Sequence, residues 1–242
     1  MFPLFRDWIS KWRMIRYLQM REKPSEDYIY HVYNRGVDKR IIFDDDNDRQ
    51  RFVSGLYFFN NKNSTDNLRF FDIQSRNDDT REKIVEILSF VLMPNHFHLL
   101  IKPLVENGLS EFMQKLGIGY TNYFNIKNER TGSLFQGKYK FVRIEGDEQL
   151  AYIPYYIHFN PVELVESKWK EQEVVDKDRA INFLKSYPWS SLRGYLGNNC
   201  FSQIINKEIL KDYLGEPEDL EKEISDWLKE TGYPNHTNLW ME

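Results

Sequence analysis

Between Ile84 and Lys102 the chain is mostly apolar, and Pro94-Asn95 divides the stretch in two. Two short apolar runs parted by a turn-forming pair predict a β-hairpin, with strands over 84–92 and 96–102. The second strand opens with His96-Phe97-His98. Successive strand side chains alternate faces, so His96 and His98 share one face and Phe97 enters the other. Two neighbouring imidazoles can hold one divalent metal. Surface and core histidines can produce the same pattern, so the rest of the chain has to supply the context.

Phe5, Trp8, Trp12, Ile15 and Leu18 recur at helical spacing and predict a basic amphipathic helix over 4–22. It reads as an extension packed on the main domain, because a membrane-surface anchor would want a longer or cleaner apolar face. Residues 27–34 have the aromatic and β-branched content of a strand, ended by Arg35-Gly36. A helix over 46–59 follows, with Asp44, Asp45 and Asp46 as cap candidates and Phe52, Val53, Leu56 and Phe59 on one side. Residues 60–82 are polar and turn-rich around Phe70-Phe71-Asp72-Ile73, and read as an insertion with a short extra strand. After the hairpin come a helix over 109–128, a strand over 138–144 and a helix over 148–159.

The order β-α-β-β-α-β followed by a helix predicts an α+β, ferredoxin-like fold: an antiparallel sheet with helices on one face. In that arrangement the first and third strands are central neighbours, which brings His31 close to the paired histidines. His31 then either supports them from behind or merely packs, and a lone strand histidine favours packing. RNA-binding modules and many enzymes share this fold, so it does not by itself give a function. Beyond Pro161 the chain carries Tyr187-Pro188-Trp189-Ser190-Ser191-Leu192 and helices near 207–214 and 217–230. The expected division is an N-terminal helix (1–25), a main domain (26–165) and an acidic helical extension (166–242).

A length of 242 residues is ample for a hydrophobic core, and the single cysteine, Cys200, excludes an intrachain disulfide. That usage fits a reducing cytoplasm. No apolar stretch approaches the roughly 20 residues that span a bilayer, and charges interrupt the first 21, so neither a membrane span nor a signal peptide is expected. The net charge of −4 argues at first against a nucleic-acid partner, but the charge is unevenly spread. Lys102 to Arg143 holds seven basic residues against three acidic, and the first 23 residues hold six against two. From Phe201 onward ten acidic residues face four basic ones. The middle of the chain can meet DNA, and the tail is not expected to.

Pro161 disfavours helical geometry at Asn160, so the helix over 148–159 is expected to end there. Counting back by four puts Tyr156 one turn earlier on the same face, with Tyr155 and His158 pointing elsewhere. If this helix crosses the histidine face of the sheet, Tyr156 can approach a metal-bound phosphate and the Asn160 amide oxygen can complete the ligands. Two imidazoles and one amide oxygen suit Mg2+ or Mn2+ arriving with a phosphate, rather than a structural zinc. A free tyrosine titrates near 10 and needs electrostatic help as a nucleophile. A phosphotyrosine link conserves the energy of the broken phosphodiester, which is the logic of cutting and rejoining.

Met93-Pro94-Asn95-His96-Phe97-His98-Leu99-Leu100, taken with Tyr156-Ile157-His158-Phe159-Asn160-Pro161-Val162, closely resembles the HUH single-tyrosine transposases, specifically their REP-associated, insertion-sequence-200-like branch. The segments 31–36, 130–140 and 187–191 are also similar to that family, so the likeness runs from about Tyr28 to Tyr195. The resemblance implies that His96 and His98 bind the metal, Tyr156 attacks single-stranded DNA beside a hairpin, and Asn160 is the third ligand. It implies a transposase catalytic domain over 26–165 and a cytoplasmic, nucleoid-associated enzyme, with a homodimer as one arrangement. The N-terminal helix and the 60–82 insertion depart from the family pattern. Arg130, Lys138 and Lys140 are candidates for holding backbone phosphates, with Asn34 and Arg35 as the next choice. A nucleic-acid-binding protein without strand transfer, and a metallohydrolase using water, are the alternatives.

Overall fold

The computed structural model describes residues 23–63, 81–167, 169, 174–198 and 200–230. The predicted N-terminal helix and the Phe70–Ile73 patch lie outside these residues. Four strands, β1 (Tyr30–Arg35), β2 (Val85–Met93), β3 (His96–Pro103) and β4 (Lys140–Arg143), form one antiparallel sheet in the order β2-β3-β1-β4. With α1 (Asp46–Phe58) between β1 and β2, and α2 (Gly108–Lys127) between β3 and β4, this is the expected ferredoxin-like α+β arrangement.

Strand alternation divides the core into two layers. Phe97 sends its ring toward α1, with its centroid 4.9 Å from that of Phe52. Phe52 in turn meets Tyr120 of α2 at 5.1 Å, so the odd-numbered positions of β3 face these two helices. The even-numbered positions face α3 (Asp147–Phe159), which crosses the opposite side of the sheet. Asp45 caps α1 by accepting from the Asp48 backbone N–H at 2.9 Å. Buried Asp48 then accepts from Lys127 Nζ at 2.6 Å and from Tyr123 at 2.9 Å, and so ties α1 to the end of α2.

The start of β2 depends on a polar residue that composition alone would assign to a loop. Asn60 is buried in the stretch read as an insertion. Its Oδ1 accepts from the N–H groups of Ile84 and Val85 at 3.0 Å each, and its Nδ2 donates to the Val85 carbonyl at 2.8 Å. This amide therefore sets where β2 starts. Lys62 and Glu82 pair beside it at 3.1 Å, which brings the two ends of the polar stretch together.

β2 lies at the sheet edge, and the segment after Tyr187 covers it. Leu92 N–H donates to the Trp189 carbonyl at 2.9 Å, Ser191 N–H to the Phe90 carbonyl at 3.0 Å, and Asn206 N–H to the Ile87 carbonyl at 2.8 Å. The hydroxyls of Tyr187 and Tyr195 add bonds to the Leu92 and Leu88 carbonyls. Covering the edge in this way removes a row of unpaired backbone groups that would otherwise invite strand addition. Helices α4 (Lys177–Ser186), α5 (Leu192–Tyr195), α6 (Lys211–Leu214) and α7 (Pro217–Glu230) follow the main domain. The acidic helix α7 buries Leu220, Ile224 and Leu228, and Lys185 of α4 pairs with its Glu221.

Ser191 is the junction of this edge cover. Its Oγ accepts from Phe90 N–H at 2.8 Å and lies 2.8 Å from Nε2 of buried His158. Replacing Ser191 with Ala leaves two buried polar groups short of a partner. The expected loss is about 1–3 kcal/mol of unfolding free energy, read as a lower urea midpoint with unchanged slope.

Candidate active site

The register of the central strands brings the histidines together. Tyr33 pairs with His98, His31 with Leu100 and Arg35 with His96, so His31, Tyr33, Arg35, His96 and His98 occupy one face. Nε2 of His31 lies 2.8 Å from Nδ1 of His98, and the two rings stack at an interplanar angle of 14°. The His96 ring stands edge-on to His98, with centroids 5.1 Å apart. Nδ1 of His96 is 2.6 Å from the Asn95 Oδ1. The reading of His31 as plain packing is therefore corrected: its ring nitrogen bonds one of the paired histidines. The central β1–β3 pairing predicted the proximity of the two rings, and the bond between them is what the structure adds.

Helix α3 delivers Tyr156 to this face. Its ring meets His98 and His31 nearly perpendicularly, at centroid distances of 5.6 and 5.7 Å. Tyr156, His98, His31 and Asn160 are all buried, and His96 is half-buried. The α-helix ends before Asn160 as expected. Asn160 itself nevertheless keeps helical backbone angles and starts a 3-10 turn, Asn160–Leu164, in which Pro161 sits at the first turn, where a missing N–H is harmless. Asn160 Nδ2 donates to the Tyr156 carbonyl at 2.8 Å, which turns the amide oxygen away from that carbonyl and links the two residues directly.

Tyr155 and His158 point away from the histidines, as the helical count predicts. The Tyr155 hydroxyl donates to Glu223 of α7, and its ring stacks on Trp227 with an interplanar angle of 8°. Trp227 also meets Tyr152 and Phe159. The acidic extension thus holds α3 from behind, a role that its charge pattern did not disclose. Burial and the carboxylate partner both push the Tyr155 phenol well above the usual tyrosine range.

The candidate DNA contacts separate into three groups. Arg35 lies on the histidine face and its Nε donates to Gln136 Oε1 at 2.7 Å, while Lys140 reaches over the Tyr33 ring at 5.8 Å. Asn34 and Lys138 line a groove of about 580 Å³ on the opposite, helix-covered side, together with Phe97, Ile118 and Tyr139. Arg130 is used locally: its guanidinium bonds Asn125 Oδ1 and the Ser133 carbonyl, and so closes the turn after α2.

Three of the motif segments interlock at one end of the sheet. Gly36 N–H donates to the Asn95 carbonyl at 2.9 Å, Val37 N–H to Leu134 and Gln136 N–H to Arg35. A Cβ on Gly36 would lie 2.3 Å from the Arg40 carbonyl oxygen, so no other residue fits without moving the backbone. Gly137 holds φ at +104°, a conformation L side chains rarely adopt.

A four-stranded antiparallel sheet, with paired histidines on one face beneath a tyrosine-bearing helix, defines an α+β protein with its candidate site on that face. Residues 72–160 match the model of the family described as Transposase IS200 like. That family is one of DNA transposases, hence of enzymes, and it is the family the motifs resemble. The matched segment contains His96, His98, Tyr156 and Asn160. No curated protein matches. A solved structure of a REP-associated tyrosine transposase bound to a REP hairpin is 10% identical, with a TM-score of 0.46, and the match covers 78% of this chain and 91% of that one. No helix among the described residues is long and apolar enough to cross a membrane.

How firmly α3 sits on the sheet can be read through His158. Complete burial lowers this imidazole from 6.5 to about 3, so the folded protein keeps it neutral while the unfolded chain protonates it near 6.5. Between these values the unfolded state binds the extra proton, and stability falls as pH falls. The slope due to this one group approaches about 1.4 kcal/mol per pH unit. His158→Gln keeps an amide that can bond the Ser191 hydroxyl and removes the titration. Urea unfolding between pH 4.5 and 7 should give a shallower loss of stability in this variant than in the wild type.

Proposed function

We propose that this chain is a single-strand DNA transposase or nickase that cuts beside a hairpin with Tyr156 as its nucleophile. The observation that carries the reading is the edge-on approach of Tyr156 to His98 and His31 of its own chain. The family match over 72–160 supports the same reaction class. In the proposed step Tyr156 Oη attacks the scissile phosphorus, the P–O3′ bond breaks, and a 5′-phosphotyrosine forms. The departing 3′ oxygen takes up a proton, and the phenol gives its proton to solvent. Attack by the 3′-hydroxyl of another strand end reverses the step and rejoins DNA without ATP.

Each residue of this chain has a defined part in that reading. His96 and His98 offer two imidazoles from one sheet face, and Asn160 offers an amide oxygen whose nitrogen is already engaged. Among the described residues no group of three or more His, Cys, Asp or Glu is placed to hold a metal ion, so the protein's share of the ligands would be these two imidazoles and the amide. The donor set is therefore neutral and fits a hard divalent cation, Mg2+ or Mn2+, that arrives with a phosphate. When bound, such an ion would neutralise charge on the phosphate and on the leaving oxygen. Arg35 and Lys140, on the histidine face, are suited to hold the flanking DNA backbone, and Lys138 and Asn34 to contact DNA that continues past the rim. Arg130 serves this surface by shaping the turn that carries Lys138. Because the tyrosine stands beside the histidines of its own chain, a monomer can complete the reaction and exchange of α3 in a homodimer is not required.

The test is a covalent-adduct assay with labelled single-stranded hairpin oligonucleotides and Mg2+ or Mn2+, resolved on a denaturing gel. A slow-migrating DNA–protein band is expected. It should fall by about three orders of magnitude or more in Tyr156→Phe, and fall sharply in His96→Ala. Cleavage without an adduct would move the reading to a water nucleophile, and hairpin binding with neither would move it to a binding module.

A further inference from the structure

The two paired histidines differ in what holds their Nδ1 atoms. For His96 the partner is the Asn95 amide oxygen at 2.6 Å, while the amide nitrogen of Asn95 donates to the Lys39 carbonyl at 3.3 Å. That second bond fixes which end of the amide faces the ring. An amide oxygen only accepts, so His96 carries its proton on Nδ1 and keeps a lone pair on Nε2. For His98 the partner is Nε2 of His31 at 2.8 Å, inside the sheet face, where both rings are at most 2% exposed. Two imidazole nitrogens can share one proton in either direction, so the tautomer of His98 is set by that of His31.

We propose that His31 is a positioning residue that accepts a hydrogen bond from His98 and so holds His98 as its Nδ1–H tautomer, with the Nε2 lone pair presented to the divalent cation. This rests on the metal-assisted reading above. Both paired histidines then present the same nitrogen, one set by Asn95 and the other by His31. The stacked ring of His31, held also edge-on to Tyr156, fixes the plane of the His98 imidazole as well as its tautomer. A neutral imidazole without such an acceptor distributes its proton over both nitrogens, which removes part of the ligand population and lets the ring rotate. Partners of this kind, behind metal-binding histidines, are typically worth about 10–100-fold in metal affinity.

The decisive variants are His31→Gln, whose amide oxygen falls near the place of Nε2 and can still accept, and His31→Phe, which keeps the stacking and removes the acceptor. Long-range proton–nitrogen correlation spectra of the metal-free protein at alkaline pH read the tautomer of His98 directly. Mn2+ titration followed by the electron-paramagnetic signal of the free ion reads affinity. The expected results are an Nδ1–H tautomer for His98 in the wild type and in His31→Gln, with Mn2+ affinity of the two within about threefold. In His31→Phe the His98 proton is expected to spread over both nitrogens, and affinity to fall by about 10–100-fold. An Nε2–H tautomer in the wild type, or unchanged Mn2+ affinity in folded His31→Phe, would overturn the proposal. Absence of Mn2+ binding to the wild type would instead remove the metal reading, and the spectra would still decide the role of His31. If His31→Phe fails to fold, the wild-type tautomer and the behaviour of His31→Gln decide it.

Discussion

The docking of α3 on the histidine face of the sheet is the contact on which the rest of this molecule depends. A ferredoxin-like sheet with helices on one side leaves its other face bare, and a bare apolar face has to be buried. Here that face carries the paired histidines, His96 and His98, and a third, His31, among its apolar residues, so what buries it also forms the candidate site. α3 is apolar on nearly all sides because it is covered twice, by the sheet, which Tyr156 meets, and by α7 through Tyr152, Tyr155 and Phe159. A single helix turn thus sends Tyr156 to the histidines and Tyr155 to Glu223, two phenols placed in unlike surroundings by one residue of spacing.

The C-terminal extension follows from the same requirement. The segment 187–206 supplies the β2 edge with backbone partners, and Ser191 joins that edge to His158 on α3. Trp189 reaches back to Asp46 at the start of α1. Edge strand, tyrosine helix and helical layer are consequently tied through one short stretch of chain. Within its conspicuous Tyr-Pro-Trp-Ser-Ser run, Tyr187, Trp189 and Ser191 each supply one of these bonds.

Much of the fold was legible from local pattern. Alternation identified β3 and the shared face of His96 and His98, and the i, i+4 relation placed Tyr156 and Asn160 together, because both periodicities are properties of the backbone alone. Strand order followed from the sequence of elements. What escaped depended on contacts distant in sequence. The role of His31 rests on a register 67 residues long-range, which composition cannot weigh against simple packing. Asn60 looked like loop because buried amides that satisfy backbone ends have the same composition as turns. The acidic helix could be read as amphipathic, but its partner, the back of α3, could be seen only after folding.

Charge is unevenly placed on this acidic protein. The carboxylates of α7 stand behind α3, where Glu223 holds Tyr155 and Glu221 pairs with Lys185. On the other side of the helix, Arg35 and Lys140 border the histidine face. The negative potential is therefore concentrated behind α3, and the histidine face is the less acidic of the two. A net charge of −4 therefore averages two surfaces of unlike charge. The helix between them keeps them apart: its burial holds the tyrosine on one side and insulates it from the carboxylates on the other.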